Sequence, residues 1–231
     1  MSFLKIIFVE FIMSDVERHL RHLATHDALP SNHVEYLWKL KNNGFEPKVI
    51  YDIGSCVLHW TKVAKRVWPN AKIILFDAFQ SAEFLYTDYD YHVGILSDED
   101  DKTLRFYQNE YLPGGNSYYK ETNDRVFPPD VFIEKVSKKL DTVVREKSFP
   151  LPDFIKIDVQ GAEKDLIHGA VETLKSVQHL IVEMQCVNYN DKAPLVGETL
   201  PYIESLGFKC VAPKFSDNGP DADYGFTRAP P

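Results

Sequence analysis

The chain has 231 residues, 44% hydrophobic and 26% charged, ordinary proportions for a soluble globular protein with one α/β domain and a small appendage. A net charge of −8 argues against a nucleic-acid partner, because phosphate-backbone binding rests on clustered Lys and Arg. Three cysteines, Cys56, Cys186 and Cys210, are an odd number without metal-ligand spacing, so a reducing, cytoplasmic setting is expected.

Phe3 to Met13 is apolar except for Lys5 and Glu10. It is too short to cross a bilayer, which needs about 20 residues, and no small-residue cleavage site follows it. Residues 1–12 are expected to form an upstream extension or a packed N-terminal strand. Ser14 and Glu17 have the spacing of a capping box. They open two helices within residues 14–43, with apolar stripes at Leu20, Leu23 and Ala24 and at Val34, Leu37 and Leu40. This N-terminal helical extension, residues 1–45, precedes a main domain over 46–231. His19, His22 and His26 share one helical face, but no acid or cysteine completes a metal site, and a solvated face is expected.

Strands and helices then alternate. The pattern predicts a strand at 49–53, a helix near 57–68, a strand at 72–76, a helix near 80–86 and a strand near 91–95. Alternation at Thr103–Tyr107 predicts an antiparallel strand, and a helix is expected around 131–146. A buried strand, Phe154 to Asp158, leads into one amphipathic helix carrying Ala162, Leu166, Ile167, Ala170, Val171 and Leu174. A strand at 179–184, a helix near 197–206 and strands near 208–211 and 224–227 complete the chain. The order predicts a doubly wound α/β sheet, mostly parallel, with an antiparallel edge at the C-terminus.

Asp52-Ile53-Gly54 ends an apolar strand and opens into a helix, and about 20 residues later a second apolar run ends in Asp77. An acid after the second strand suits a ribose diol; its alternative role is a helix N-cap. The turn Gly54-Ser55-Cys56-Val57-Leu58 has a single glycine, which disfavours a dinucleotide pyrophosphate. An acid ahead of that glycine suits an ammonium group, so S-adenosylmethionine, with an amino-acid tail, a ribose and no phosphate, fits better.

Asp153-Phe154-Ile155-Lys156-Ile157-Asp158-Val159-Gln160-Gly161-Ala162-Glu163 resembles the K-I-D-V-[EQ]-G-A-E signature of the FkbM-type methyltransferases. Leu140-Asp141 and Leu180–Glu183 resemble its flanking landmarks, and the likeness covers roughly residues 45–228. It implies a seven-stranded Rossmann-like fold, S-adenosylmethionine as cofactor, and methyl transfer to oxygen, often a hydroxyl of a sugar or glycosylated product. The cofactor-binding candidates are Asp52, Gly54, Ser55, Asp77, Ala78 and Asp158 at the strand ends and, by this resemblance, Ser97 and Asp98, which are equally readable as a simple turn before a hairpin. The family's first loop usually reads D-x-G-A-N-x-G, and here Cys56 replaces the Asn and Leu58 the second Gly. Leu58 must therefore point away from the cofactor or narrow its pocket.

The catalytic candidates are Asp158, as a base or substrate anchor, Lys156 on the same side of its strand, and Glu183. A divalent cation held by Asp158 and Glu183 is a further option, though no metal is predicted. Lys156 is equally readable as an ion-pair partner, and Glu183 as a structural hydrogen-bond acceptor. Glu163 on a first helical turn suits the macrodipole. Gly114 to Lys120 has the composition of a substrate lid, with Asn116, Ser117 and Tyr118 as acceptor contacts. Phe127-Pro128-Pro129-Asp130 is similar to the N/D-P-P-[YF] motif of amino-group methyltransferases but does not end an apolar strand. The remaining readings are a nicotinamide-dependent sugar oxidoreductase and a cofactor-binding relative that no longer catalyses.

Overall fold

A computed structural model describes residues 13–26 and 29–229; the expectation for residues 1–12 lies outside them. The strands are β1 (Val49–Ile53), β2 (Lys72–Asp77), β3 (Asp90–Val93), β4 (Ile95–Leu96), β5 (Thr103–Phe106), β6 (Ile133–Lys138), β7 (Phe154–Ile157), β8 (His179–Gln185), β9 (Phe208–Asp217) and β10 (Asp221–Arg228). The α-helices are α1 (Asp15–Thr25), α2 (Ser31–Asn42), α3 (His59–Val67), α4 (Leu140–Lys147), α5 (Glu163–His168), α6 (Val171–Leu174) and α7 (Val196–Ser205).

Seven strands form the main sheet in the order β3-β2-β1-β7-β8-β10-β9, and only β10 runs against its neighbours. β1 and β7 are buried on both faces, and apolar but for the facing pair Asp52 and Lys156, because helices cover both sides of the sheet. Tyr51, Ile53, Ile155 and Ile157 pack toward α4–α7, while Ile50, Ile73 and Phe154 pack toward α1–α3. The chain leaves β1 in one direction and returns beyond it at β7. This reversal opens a crevice at the carboxyl ends of β1 and β7, where open α/β sheets bind ligands.

The two N-terminal helices join the same core. Ser14 caps α1 by accepting from the Glu17 N–H at 3.0 Å, but the Glu17 carboxylate pairs with Arg21 instead of closing the box. On α2, Tyr36 stacks on Phe215 and lies over Gly225, where a Cβ would meet its hydroxyl at 2.1 Å. His33 on the same helix makes a buried 2.8 Å contact with Asp223 of β10.

Two expected elements differ. The first half of the expected 131–146 helix is strand β6, held between β4 and β5 in a small second sheet. Ile133 and Val136 are three residues apart and imitate a helical stripe, but β5 needs a partner strand and β6 supplies it. The expected continuous helix from 162 is two short helices broken at Gly169-Ala170. A Cβ at Gly169 would meet the Ser97 carbonyl at 2.1 Å, and the Asp141 carboxylate accepts from the N–H groups of Glu172 and Thr173, starting α6 afresh.

Candidate active site

A cavity with about 720 Å³ of atom-free space, part of it open to solvent, lies over the ends of β1, β2 and β7. Gly54, Asp77 and Asp158 line it where the three strands end. Gly54 has φ +84°, and a Cβ there would lie 1.7 Å from the Asp158 carbonyl oxygen. The glycine is thus required by the approach of the two strand ends at the reversal point.

Asp77 accepts from the Cys56 N–H at 2.6 Å and the Phe79 N–H at 2.7 Å, one bond on each carboxylate oxygen. Burial pushes its pKa up to about 6 against these two bonds. Each oxygen keeps a second lone pair for a ribose hydroxyl. Asp77 does not cap the next helical turn, which starts at Gln80 after Phe79; its two bonds instead tie the β1 loop to the end of β2.

Asp158 lies on the opposite flank. Its Oδ2 accepts from Lys156 Nζ at 2.8 Å and its Oδ1 from Gln160 Nε2 at 3.1 Å. Burial alone would raise its pKa, but Lys156 and the surrounding hydrogen bonds outweigh that and hold it below the ordinary carboxylate value. Glu183 shares Gln160 with it at 2.6 Å. Burial and the Asp158 charge push Glu183 well up. Burial works against the Lys156 ammonium, yet Asp158 and Asp52 keep its pKa raised.

Asp52 stands elsewhere than the sequence suggests. It is fully buried, accepts from Thr61 Oγ1, lies 3.9 Å from Lys156 Nζ and does not line the cavity. In register it faces Lys156 across β1 and β7, which turns its carboxylate into a counter-charge behind the wall. Burial raises its pKa, and Lys156 and Thr61 offset only part of that rise. Ser55 is also behind the wall, donating to the Asp52 carbonyl at 2.7 Å.

Leu58 adopts the left-handed conformation at φ +70° and packs into the core beside α3, outside the cavity. Cys56 has φ +44°, so two non-glycine residues carry the loop shape that glycine and asparagine favour. The Cys56 thiol is pushed up by burial and by Asp77 and Asp158, and stays neutral at the wall.

Ala78, Ile95, Leu96 and Phe106 form the apolar side of the cavity. Ser97 and Asp98 fall just beyond it. Ser97 donates to Asp98 at 3.1 Å and touches the Tyr118 hydroxyl at 3.3 Å, while Asp98 pairs with Lys102 at 3.6 Å. The expected lid lies directly against the cavity, with Asn116, Ser117 and Tyr118 in its wall. It is tied down: Tyr118 and Tyr119 both donate to Asp165, and Ser117 bridges to Tyr107. Asn116 Nδ2 is shut off from solvent without a partner, while its Oδ1 accepts from the Asn109 N–H at 2.7 Å. His19 donates to the Tyr111 carbonyl at 3.0 Å, so this histidine braces the lid instead of facing water alone.

Gln160 is the residue sequence reasoning missed. At φ +55° it lines the cavity and joins Asp158 to Glu183. Its place inside the Asp158-Val159-Gln160-Gly161 turn was the available signal. Glu163 caps that turn from the next helix, accepting from the N–H groups of Val159 and Gly161, and burial pushes it up to about 8. Among the described residues no three His, Cys, Asp or Glu side chains are grouped to hold a metal ion, and no helix is long and apolar enough to cross a membrane.

A seven-stranded sheet of this order, with β10 alone reversed and an acid-flanked cavity at its switch point, defines the class I methyltransferase fold. Residues 52–210 match the Methyltransferase FkbM domain, and the chain belongs to that family. Among solved structures, an O-methyltransferase from Bacillus cereus in complex with SAH is 11% identical with TM-score 0.54, covering 96% of this chain and 94% of that one. TomG, an O-methyltransferase from Streptomyces achromogenes solved with SAM, is 10% identical with TM-score 0.49, covering 94% and 89%. Human N-acetylserotonin methyltransferase, also solved with SAM, is 11% identical with TM-score 0.47; 94% of this chain is covered, and it spans 57% of the human enzyme. At these identities the likeness is one of fold. Compared by sequence with curated proteins, the chain matches none.

Proposed function

We propose that the protein is an S-adenosylmethionine-dependent O-methyltransferase acting on a hydroxyl of a sugar, glycan or glycosylated small molecule. One observation carries the cofactor assignment: among the described residues, the cavity wall holds the carboxylates Asp77 and Asp158 and neither Lys nor Arg. A nicotinamide dinucleotide would bring its pyrophosphate to this wall without a cation to meet it. A cationic ligand with an ammonium tail and a ribose is complementary. The free Asn116 Nδ2 suits a purine nitrogen, and Ile95, Leu96 and Phe106 suit the face of that ring. Leu58, which raised the idea of a non-catalytic relative, lies outside the cavity.

When bound, the cofactor supplies a methyl group already activated by its sulfonium. What remains for the protein is alignment of acceptor and methyl donor, worth about 7–11 kcal/mol in well-oriented systems. Asp158, held ionised by Lys156, acts as an anchor for positive charge rather than as a base, since an effective base titrates near the working pH. Oxygen is favoured as the acceptor atom because Asp158-Val159-Gln160-Gly161 follows β7 where amino-group enzymes carry N/D-P-P-[YF]. The family resemblance supports a sugar-bearing acceptor. Calorimetry should give one-to-one binding of S-adenosylmethionine and S-adenosylhomocysteine and no binding of NAD. Labelled methyl groups should then appear on glycan hydroxyls; NAD binding, or label on nitrogen alone, would refute the proposal.

A further inference from the structure

A second cleft adjoins the cofactor cavity, and Cys56, Pro113, Gly114 and Gln160 belong to both walls. The turn around Pro113 and Gly114 separates the two spaces from above, while Cys56 and Gln160 stand between them at the strand ends. Whatever occupies this cleft therefore lies beside the Gly54–Asp158 end of the cavity, away from the apolar side formed by Ile95, Leu96 and Phe106.

The far wall of the cleft comes from a part of the chain outside residues 52–210. Leu23 of α1 lines it, and α1 is fixed there from two sides. His59 at the start of α3 donates to the Leu23 carbonyl at 2.9 Å, and Lys62 one turn on donates to the Ala24 carbonyl. One turn earlier, α1 also holds the segment leading into the lid, through His19 and the Tyr111 carbonyl. The opposite wall contains Phe127, Tyr189 and Glu121, and the Tyr189 hydroxyl donates to Glu121.

Charge decides the occupant. Among the described residues the cleft lining holds no Lys or Arg, and its one carboxylate, Glu121, accepts hydrogen bonds. A phosphate or carboxylate here would meet no Lys or Arg, only His59, whose Nε2 is already given to the Leu23 carbonyl, and would face Glu121, an unfavourable arrangement. An uncharged polyol with one apolar face would lay that face on Leu23, Leu112 and Phe127 and offer hydroxyls to Glu121 and Gln160.

We infer that this cleft receives the methyl acceptor, and that it takes a neutral glycoside with an apolar face or aglycone, excluding sugar phosphates and nucleotide sugars. The inference rests on the methyltransferase reading above and adds the acceptor's charge class and its place. It also makes α1 a specificity element.

The test is calorimetry on the full chain loaded with S-adenosylhomocysteine, using 4-nitrophenyl β-glucoside and glucose 1-phosphate as probes. The neutral glycoside is expected to bind in the millimolar range or better, and the phosphate about tenfold more weakly. Leu23→Trp fills the cleft from α1 and should weaken the neutral glycoside about tenfold while leaving S-adenosylhomocysteine affinity unchanged, which also reports an intact fold. Leu112→Arg, at an exposed rim position, should strengthen glucose 1-phosphate binding. Equal or tighter binding of the phosphate by the wild type, no binding of the neutral glycoside up to about 10 mM, or no effect of either substitution would overturn the inference. Failure of the wild type to bind S-adenosylhomocysteine would instead defeat the cofactor reading itself.

Discussion

Lys156 Nζ lies 2.8 Å from Asp158 Oδ2 and 3.9 Å from Asp52 Oδ1, so one buried ammonium serves a carboxylate in the cavity wall and another behind it. Replacing it removes the counter-charge of both. Lys156→Met should cost about 3–5 kcal/mol, the range for breaking a buried pair by deleting one partner. Urea unfolding would show this as a lower midpoint, and an unchanged midpoint would mean the three groups are not coupled.

Asp158→Asn separates the anchor and base roles. The amide keeps the size of the side chain but removes the charge that Lys156 holds in place. As an anchor, Asp158 predicts about tenfold or greater loss of S-adenosylmethionine affinity. A base would instead lower kcat at saturating cofactor with affinity intact, which steady-state kinetics alongside calorimetry would reveal.

Leu58→Gly tests the reading of the loop. The left-handed conformation costs a non-glycine residue about 1–2 kcal/mol, whereas losing a buried leucine costs about 2–5 kcal/mol. The variant should therefore be less stable by about 2 kcal/mol, the difference of those terms. Its cofactor affinity should match the wild type because Leu58 lies outside the cavity.

Glu163 gives a pH signature. Its folded pKa of about 8 exceeds the ordinary glutamate value of 4.5, so the folded state holds its proton longer than the unfolded chain. This contribution to stability is complete below the unfolded value and is lost as pH rises toward 8. Glu163→Gln retains an oxygen for the Val159 and Gly161 N–H groups and cannot ionise. Unfolding measured from pH 5 to pH 8 should fall less steeply for the variant; parallel curves would show that Glu163 titrates normally.

The sheet was legible because β1, β2, β7 and β8 are largely apolar runs, the pattern of strands covered on both faces. The placement of Asp77 and Asp158 at the cavity was legible for the same reason, each following such a run at the carboxyl rim of the sheet. Asp52 was not. Whether its carboxylate meets ligand or Lys156 depends on the β1–β7 register, which joins residues remote in the chain. Strand β6 was hidden because Ile133 and Val136 have a helical spacing, yet both are exposed, and pairing with β5 and β4 is what makes the segment a strand. Gln160 is a polar residue in a turn, and its place at the site depends on its amide bridging Asp158 and Glu183. The loop shape at Cys56 and Leu58 departs from residue preference because core packing on Leu58 outweighs its backbone cost.

The most direct measurement is titration of S-adenosylhomocysteine, which binds without turnover, into wild type and Asp77→Asn. In the variant one carboxylate oxygen becomes an amide NH2, a donor facing the backbone N–H of Cys56 or Phe79, and the charge offered to the ribose is gone. One-to-one binding by wild type, weakened about tenfold or more in the variant, is the predicted result. No binding by wild type, or equal binding by both, would contradict a cofactor held between Asp77 and Asp158.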